Sequence, residues 1–148
     1  DANADLFIRI HLKAASSTSA NGSEVCYLAK KESTYAAEVA KFENSVDKGY
    51  ADVPLSDFII NDIFYRVNQQ KSAMLATDIL DNIVNEFGLR KRGVFETNFA
   101  VLRGSNSPSI LVEIGFVTNS GDMSTYNTDS SRVKLASEIA QGVRKHFE

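Results

Sequence analysis

SILVEIGFVTN, residues 109–119, is an apolar run that contains one carboxylate, Glu113, and then reaches Gly115. A continuous apolar run of this length, bounded by Pro108 and by Gly115, predicts a strand buried on both faces of a parallel sheet, followed by a turn at the glycine. Carboxylates are rarely buried without a partner, and the ligand crevice of an open α/β sheet lies at the carboxyl ends of its strands. Glu113 is therefore a candidate site residue, although a carboxylate that caps a turn or pairs with a lysine or arginine would give the same pattern.

A second apolar run, residues 5–11, ends in His11. Side chains alternate between the two faces of a strand. One face of this strand should therefore carry Leu6, Ile8 and Ile10, and the other face Phe7, Arg9 and His11. His11 and Glu113 then both lie at the carboxyl ends of strands. A lone histidine is more often a hydrogen-bonded residue at the rim of the core, but two strand ends that carry His and Glu favour a metal site.

Strand-like and helical patterns alternate along the rest of the chain. The predicted strands are residues 22–28 and 92–94, with a further strand-like piece at 98–103. The predicted helices are residues 30–44, 57–87 with a candidate break near Asn68, and 131–147. Gly88 stands where the long helix should end, because a helix C-terminus favours a residue that can adopt positive φ. Residues 45–57 and 120–130 are predicted to be connecting loops.

Two of the predicted helices carry an apolar stripe at helical spacing, which indicates the side that faces the core. The stripe of the long helix comprises Ala73, Ala76, Ile79, Leu80, Ile83, Val84 and Phe87. The stripe of the last helix comprises Val133, Leu135, Ala136, Ile139, Ala140 and Val143. His146 lies in the last turn, where its charge would complement the helix dipole, so we expect an exposed histidine there and not a metal ligand.

Length and composition exclude several classes of protein. The 148 residues, 43% of them hydrophobic, are enough for one compact domain with a real core and too few for two. The formal net charge of −3, without a basic stripe, argues against a nucleic-acid partner. No apolar stretch approaches the roughly 18 residues of a membrane span. The single cysteine, Cys26, can form no internal disulfide, and any export signal is expected outside these residues.

Six segments occur together in one order: residues 7–11, 22–28, 92–94, 99–103, Pro108 and 111–119. In this order they resemble the zinc-dependent N-acetylmuramoyl-L-alanine amidases of the bacterial cell wall, and the resemblance covers nearly the whole chain. It implies an α/β fold of three layers, with a mixed or mostly parallel sheet between helices. It also implies hydrolysis of the amide bond between N-acetylmuramic acid and L-alanine in peptidoglycan, at an extracytoplasmic location in the periplasm or cell envelope.

The resemblance also assigns roles to two residues. In that family two histidines and a glutamate hold Zn²⁺, and a further glutamate is the catalytic carboxylate. His11 matches the last histidine ligand and Glu113 the catalytic glutamate, which would take a proton from the attacking water and pass it to the departing nitrogen. The other ligands are expected upstream of Asp1. The chain is therefore expected to lack the first strand and first metal-ligand loops of its domain, and this fragment alone could be inactive.

The chain departs from the family at Arg9, where a small residue is usual, and near Lys13, where Asn or Asp is usual. A cation beside a metal site opposes Zn²⁺ binding and is costly in a buried strand. Both residues therefore bear on whether the site can form.

Residues 36–66 resemble a helical insertion found in amidases of the cell-separation type. In those enzymes a helix covers the active site until a partner protein displaces it, and a glutamate of that helix can occupy the open zinc position. Glu43 is the first candidate for this blocking role and Glu38 the second. An ordinary surface helix with solvated charges would show the same pattern of residues.

Three interpretations of function remain from the sequence. The first is a zinc-dependent peptidoglycan amidase, regulated by a lid, that acts in cell-wall remodelling or daughter-cell separation. The second is a catalytically inactive domain of the same fold that binds peptidoglycan or a partner protein. A third, another zinc hydrolase such as a carboxypeptidase, is weaker because the matching segments occur together in amidase order. The residues do not distinguish a monomer from an oligomer.

Overall fold

A computed structural model describes residues 3–28, 62–98 and 107–148, and in this part of the chain four strands form one sheet. The strands are β1 (Phe7–Lys13), β2 (Ser23–Leu28), β3 (Lys91–Thr97) and β4 (Ser109–Phe116). Their spatial order is β1-β4-β2-β3. β1 runs parallel to β4 and β2 parallel to β3, whereas β2 and β4 are antiparallel. The sheet is therefore mixed, in agreement with the mixed or mostly parallel sheet that was predicted.

β4 occupies a central place among the described strands, and all eight of its residues are buried. The prediction of a fully buried strand is confirmed, but the prediction of a turn at Gly115 is wrong because the strand continues to Phe116. The glycine has a packing role instead. A Cβ at Gly115 would lie 3.1 Å from the Cβ of Asp122, so a larger residue would crowd this side chain.

Three helices are described: α1 (Asp62–Phe87), α2 (Ser120–Thr125) and α3 (Asp129–His146). α1 is continuous through Asn68, so the candidate break there is wrong. Gly88 follows the end of α1 with a φ of 65°, as a residue past a helix C-terminus should. α2 was missed, because six residues are too few to show a helical period.

α3 begins at Asp129, two residues before the predicted start, because Thr128 caps it. The Thr128 hydroxyl accepts from the Ser131 N–H at 3.1 Å, and the Ser131 hydroxyl reaches back to the backbone of Thr128, which completes a capping box. Arg144, Lys145 and His146 occupy the last turn of α3, where positive charge is favourable.

α1 and α3 pack against each other over one face of the sheet and enclose the core. The core residues on α1 include Ala76, Ile79, Leu80, Ile83 and Val84, which confirms the predicted stripe. The stripe predicted for α3 is partly wrong. Leu135 and Ile139 are buried and Val143 is partly buried, but Val133, Ala136 and Ala140 are exposed. The true stripe is narrower, because α3 meets α1 along Leu135, Ile139 and Gly142, which are spaced four and three residues apart.

The two faces of β1 differ as predicted, with one exception. Leu6, Ile8 and Leu12 pack against the core, whereas Ile10 is 52% exposed although it was assigned to the same face. Two predicted segments, the helix at residues 30–44 and most of the strand-like piece at 98–103, lie outside the described residues. The helical layer on the second face of the sheet also stays a prediction.

Candidate active site

The carboxylate of Glu113 lies beside the imidazole of His11. The two residues are direct partners in the parallel pairing of β1 with β4, and the distance from His11 Nδ1 to Glu113 Oε2 is 3.2 Å. When Glu113 is ionised its carboxylate can only accept, and the hydrogen bond then requires the histidine N–H on Nδ1. The Glu113 side chain is 1% exposed and the His11 side chain 22%. The structure thus brings together the two site residues that the sequence predicted.

A second carboxylate, Glu24, lies directly across β4 from His11. In the antiparallel pairing of β2 with β4, Glu24 is the register partner of Glu113, and both residues are fully buried. Residues that face each other in an antiparallel pair have Cβ atoms about 5 Å apart on the same side of the sheet. Sequence analysis missed Glu24. The available signal was a charged residue within the apolar strand run of residues 22–28.

Two cations approach Glu24 from the outer strands. Lys13 of β1 is 5% exposed and forms an ion pair with Glu24, and Arg92 Nε of β3 lies 3.9 Å from Glu24 Oε1. Both cations also lie over the ring of Phe116, with Lys13 Nζ 5.5 Å and Arg92 Cζ 4.9 Å from its centroid. Each strand therefore contributes one side chain to what we call the cation cluster, which comprises Lys13, Glu24, Arg92 and Phe116.

Irregularities in strand pairing produce the cation cluster. The register along β1 and β4 shifts between His11, which faces Glu113, and Lys13, which faces Phe116. A bulge of this kind re-aims side chains, and here it brings Phe116 beside Lys13. The buried charge of Lys13 is compensated by its ion pair with Glu24. Arg9 lies two pairs before His11, opposite Leu111, and is partly buried.

Hydrogen bonds to Asp122 and Ile114 fasten the end of β4 that follows Glu113. Asp122 Oδ2 accepts from the backbone N–H groups of Gly22 and Phe116, both at 2.9 Å. The carbonyl of Ile114 accepts from the hydroxyls of Tyr126 at 2.9 Å and Ser23 at 2.7 Å. These bonds tie the β4 end to the start of β2 and to α2, and so help to define where Glu113 lies in the sheet.

The hydroxyl of Tyr126 donates its hydrogen bond to the Ile114 carbonyl over the whole physiological pH range. Burial is the main cause that raises the pKa of Tyr126 to about 12; hydrogen bonding with Ser23 lowers this pKa, and the Asp122 charge makes a smaller contribution that raises it. The hydroxyl therefore stays protonated at any physiological pH and continues to donate to the Ile114 carbonyl.

His11 is suited to be one ligand of a zinc ion, through a neutral imidazole whose N–H is held by a carboxylate. Within residues 3–28, 62–98 and 107–148, no group of three or more His, Cys, Asp or Glu side chains could hold a metal ion. The described residues thus provide one candidate zinc ligand, His11, and not a complete set of ligands. His146 lies at the end of α3, where its ring packs edge-on against Phe147 with centroids 5.0 Å apart. Glu38 and Glu43 lie outside the described residues.

Among the described residues, no helix has the length and apolar character needed to cross a membrane.

Comparison with known proteins identifies relatives across nearly the whole chain. The family described as N-acetylmuramoyl-L-alanine amidase matches residues 1–145. The N-acetylmuramoyl-L-alanine amidase AmiC of Neisseria meningitidis is 35% identical over 153 residues, which cover 97% of this chain and 36% of that protein. The N-acetylmuramoyl-L-alanine amidase AmiA of Escherichia coli is 29% identical over 151 residues, which cover 97% of this chain and 52% of that protein.

A solved structure of an N-acetylmuramoyl-L-alanine amidase from Clostridium difficile 630 has the same fold. It superposes with a TM-score of 0.66 at 28% sequence identity, over 97% of this chain and 58% of that chain. The chain thus spans 36% of the meningococcal relative and 52% of the E. coli relative. Because the family match extends over all but the last three residues, the chain belongs to the N-acetylmuramoyl-L-alanine amidase family.

Proposed function

We propose that the protein hydrolyses the amide bond between N-acetylmuramic acid and L-alanine in peptidoglycan. The observation that carries this proposal is the contact of Glu113 with His11, which are paired residues of two parallel strands, within a chain of this family. A buried carboxylate beside an imidazole is a proton acceptor with a defined orientation, as amide hydrolysis requires. The enzyme would act in the periplasm or cell envelope, where its substrate lies.

Glu113 is the proposed catalytic residue. Its carboxylate accepts a proton from the attacking water and donates it to the nitrogen of the departing alanine, as a general base that becomes a general acid. His11 fixes the carboxylate by the 3.2 Å hydrogen bond. The Glu113 side chain is 1% exposed, and shielding from bulk water strengthens the charged interactions that it makes.

We include Zn²⁺ in the proposal, with His11 as one of its ligands. A second histidine and a glutamate would complete the ligand set from outside the described residues. When bound, zinc would lower the pKa of a coordinated water and polarise the scissile carbonyl.

The Glu113→Gln variant tests the catalytic role. It keeps the size of the side chain and removes its ability to accept a proton, so kcat should fall by about 10²–10⁴-fold. Release of dye from labelled peptidoglycan measures this activity, and mass analysis of the products identifies the bond that is cut. Glu148→Gln, an exposed residue at the end of α3, is the matched control and should retain full activity. A Glu113→Gln variant with unchanged kcat would remove Glu113 from the mechanism.

We also propose that residues 36–66 form an autoinhibitory lid and that Glu43, or else Glu38, occupies the open zinc position. This proposal rests on the resemblance to the cell-separation amidases. A partner protein that displaces the lid would then activate the enzyme, which fits a role in daughter-cell separation.

Deletion of residues 36–66 from the full-length protein tests the lid. Dye release should rise several-fold, and Glu43→Gln should reproduce part of the rise because it removes the blocking carboxylate while it keeps the segment. Glu38→Gln is the matched comparison within the same segment. If the deletion leaves dye release unchanged in a folded protein, residues 36–66 are not a lid.

A further inference from the structure

We propose that Lys13 and Glu24 form a positioning bridge that keeps Glu113 directed toward His11. The proposal rests on the proposed catalytic role of Glu113. The strand order places β4 between β1, which carries Lys13, and β2, which carries Glu24. The ion pair therefore passes over the strand that bears the catalytic carboxylate.

The bridge resolves a conflict between two like charges. Glu24 and Glu113 are direct register partners on β2 and β4, and their side chains are each 1% exposed. Like charges in this arrangement repel, and burial removes the water that would screen them. Lys13 supplies an opposite charge to Glu24 at 5% exposure. Glu24 is thereby paired with Lys13, and Glu113 keeps the imidazole of His11 as its partner.

The reach of the two side chains explains why the bridge uses lysine and glutamate. Neighbouring strands lie about 4.8 Å apart, so β1 and β2 are separated by about 10 Å across β4. Only long side chains can meet over that distance, and Phe116 supports the lysine from β4 with its ring 5.5 Å from Nζ. Arg92, at 3.9 Å from the same Glu24 oxygen and 4.9 Å from the same ring, supports the carboxylate from β3.

Loss of either charge should misdirect Glu113. In Lys13→Met, Glu24 keeps its charge beside Glu113 without the lysine. In Glu24→Gln, Lys13 loses its carboxylate, and Glu113 becomes an alternative partner that would be drawn from His11. We expect each single variant to lower kcat by about ten- to a hundredfold with little change in KM, since misplacement of a catalytic group acts on the reaction step.

The double variant Lys13→Met/Glu24→Gln separates positioning from simple loss of a contact. It removes both charges and keeps both side-chain volumes, so kcat should return to within about threefold of the unaltered protein. Lys91→Met is the matched control. It removes a lysine from a comparable pair with Asp81, but that pair is exposed, at 50% and 42% for the two side chains, and kcat should not change.

The experiment uses the full-length protein, a soluble muramoyl peptide as substrate, and circular dichroism to confirm that each form is folded at the assay temperature. The His11 Nδ1–H resonance provides a second measurement that does not need activity. Its downfield signal should weaken in both single variants and return in the double variant. Equal loss of kcat in the single and double variants, or an unchanged His11 signal in Lys13→Met, would overturn the bridge. Absence of amidase activity in the unaltered protein would instead refute the proposed function, and the His11 signal would still test the bridge.

Discussion

At the scale of single residues, Tyr126 carries a prediction about alkaline pH. Its pKa is raised from 10.0 to about 12, so the folded protein holds the phenolic proton more tightly than the unfolded chain. The resulting stability is fully present below pH 10 and is lost as the pH rises toward 12. The loss attributable to Tyr126 should reach about 2–3 kcal/mol.

Urea denaturation of the unaltered protein and of Tyr126→Phe, at pH 8 and at pH 11.5, measures this contribution. At pH 8 the variant should be less stable by about 1 kcal/mol, because it loses the hydrogen bond to the Ile114 carbonyl. The stability difference between the two proteins should shrink or reverse at pH 11.5. Parallel losses in both proteins would show that lysines, and not Tyr126, cause the alkaline transition.

The sequence predicted some residues of the candidate site and not others. The contact of His11 with Glu113 was predicted from their place in two parallel strands, and the two residues are indeed register partners. Their predicted place at the strand ends is wrong, because β1 continues to Lys13 and β4 to Phe116. The role of Glu24 was not predicted, since it depends on β2 being antiparallel to β4 and on the register that pairs Glu24 with Glu113. Register depends on long-range pairing that no local pattern encodes.

At the scale of elements, the packing of α3 on α1 depends on a glycine. A Cβ at Gly142 would lie 2.5 Å from Ile79 Cγ1, closer than carbon atoms can approach. In an open helix position, Gly→Ala should stabilise by about 1 kcal/mol through helix propensity. Here we expect Gly142→Ala to destabilise by about 1–3 kcal/mol, because α3 must move away from α1.

Ser137→Ala, at an exposed position of α3, is the matched control, since it also introduces alanine but meets no neighbour. It should leave the urea midpoint unchanged or raise it slightly. A Gly142→Ala variant that is as stable as the control would show that the helices can separate without cost.

The elements also show what an apolar period can and cannot predict. α1 was recognised because it is long and β4 because it is mostly apolar, and tertiary contacts agree with their local pattern. α2 was missed because its start depends on the Asn119 side chain, which accepts from the Asp122 N–H at 2.9 Å, and a cap of one residue produces no periodicity. The exposed Val133 shows that an apolar residue on a helix need not face the core.

At the scale of the whole molecule, the described residues place the candidate site on one face of the sheet and the hydrophobic core on the other. Val25, Val112 and Ile114 point toward α1 and α3, whereas His11 and Glu113 meet on the second face. Strand alternation produces this division directly. The family resemblance implied an α/β fold with a mixed or mostly parallel sheet, but not the order β1-β4-β2-β3, which depends on contacts between residues about a hundred positions apart.

Zinc binding by the full-length protein is the prediction that belongs to this scale, because one proposed ligand, His11, lies among the described residues and the other proposed ligands lie elsewhere. Zn²⁺ at a hundredfold excess over its Kd should stabilise the folded protein by about 2.7 kcal/mol, seen as a rise in Tm that a chelator reverses.

His11→Ala should weaken zinc affinity at least about tenfold, since a site with three protein ligands loses most of its affinity when one ligand is removed. His146→Ala is the matched control and should bind zinc as the unaltered protein does, because its ring packs on Phe147 at the end of α3. A His11→Ala protein that keeps full zinc affinity would exclude His11 as a ligand, and a folded full-length protein that binds peptidoglycan without zinc would favour the inactive binding domain over the enzyme.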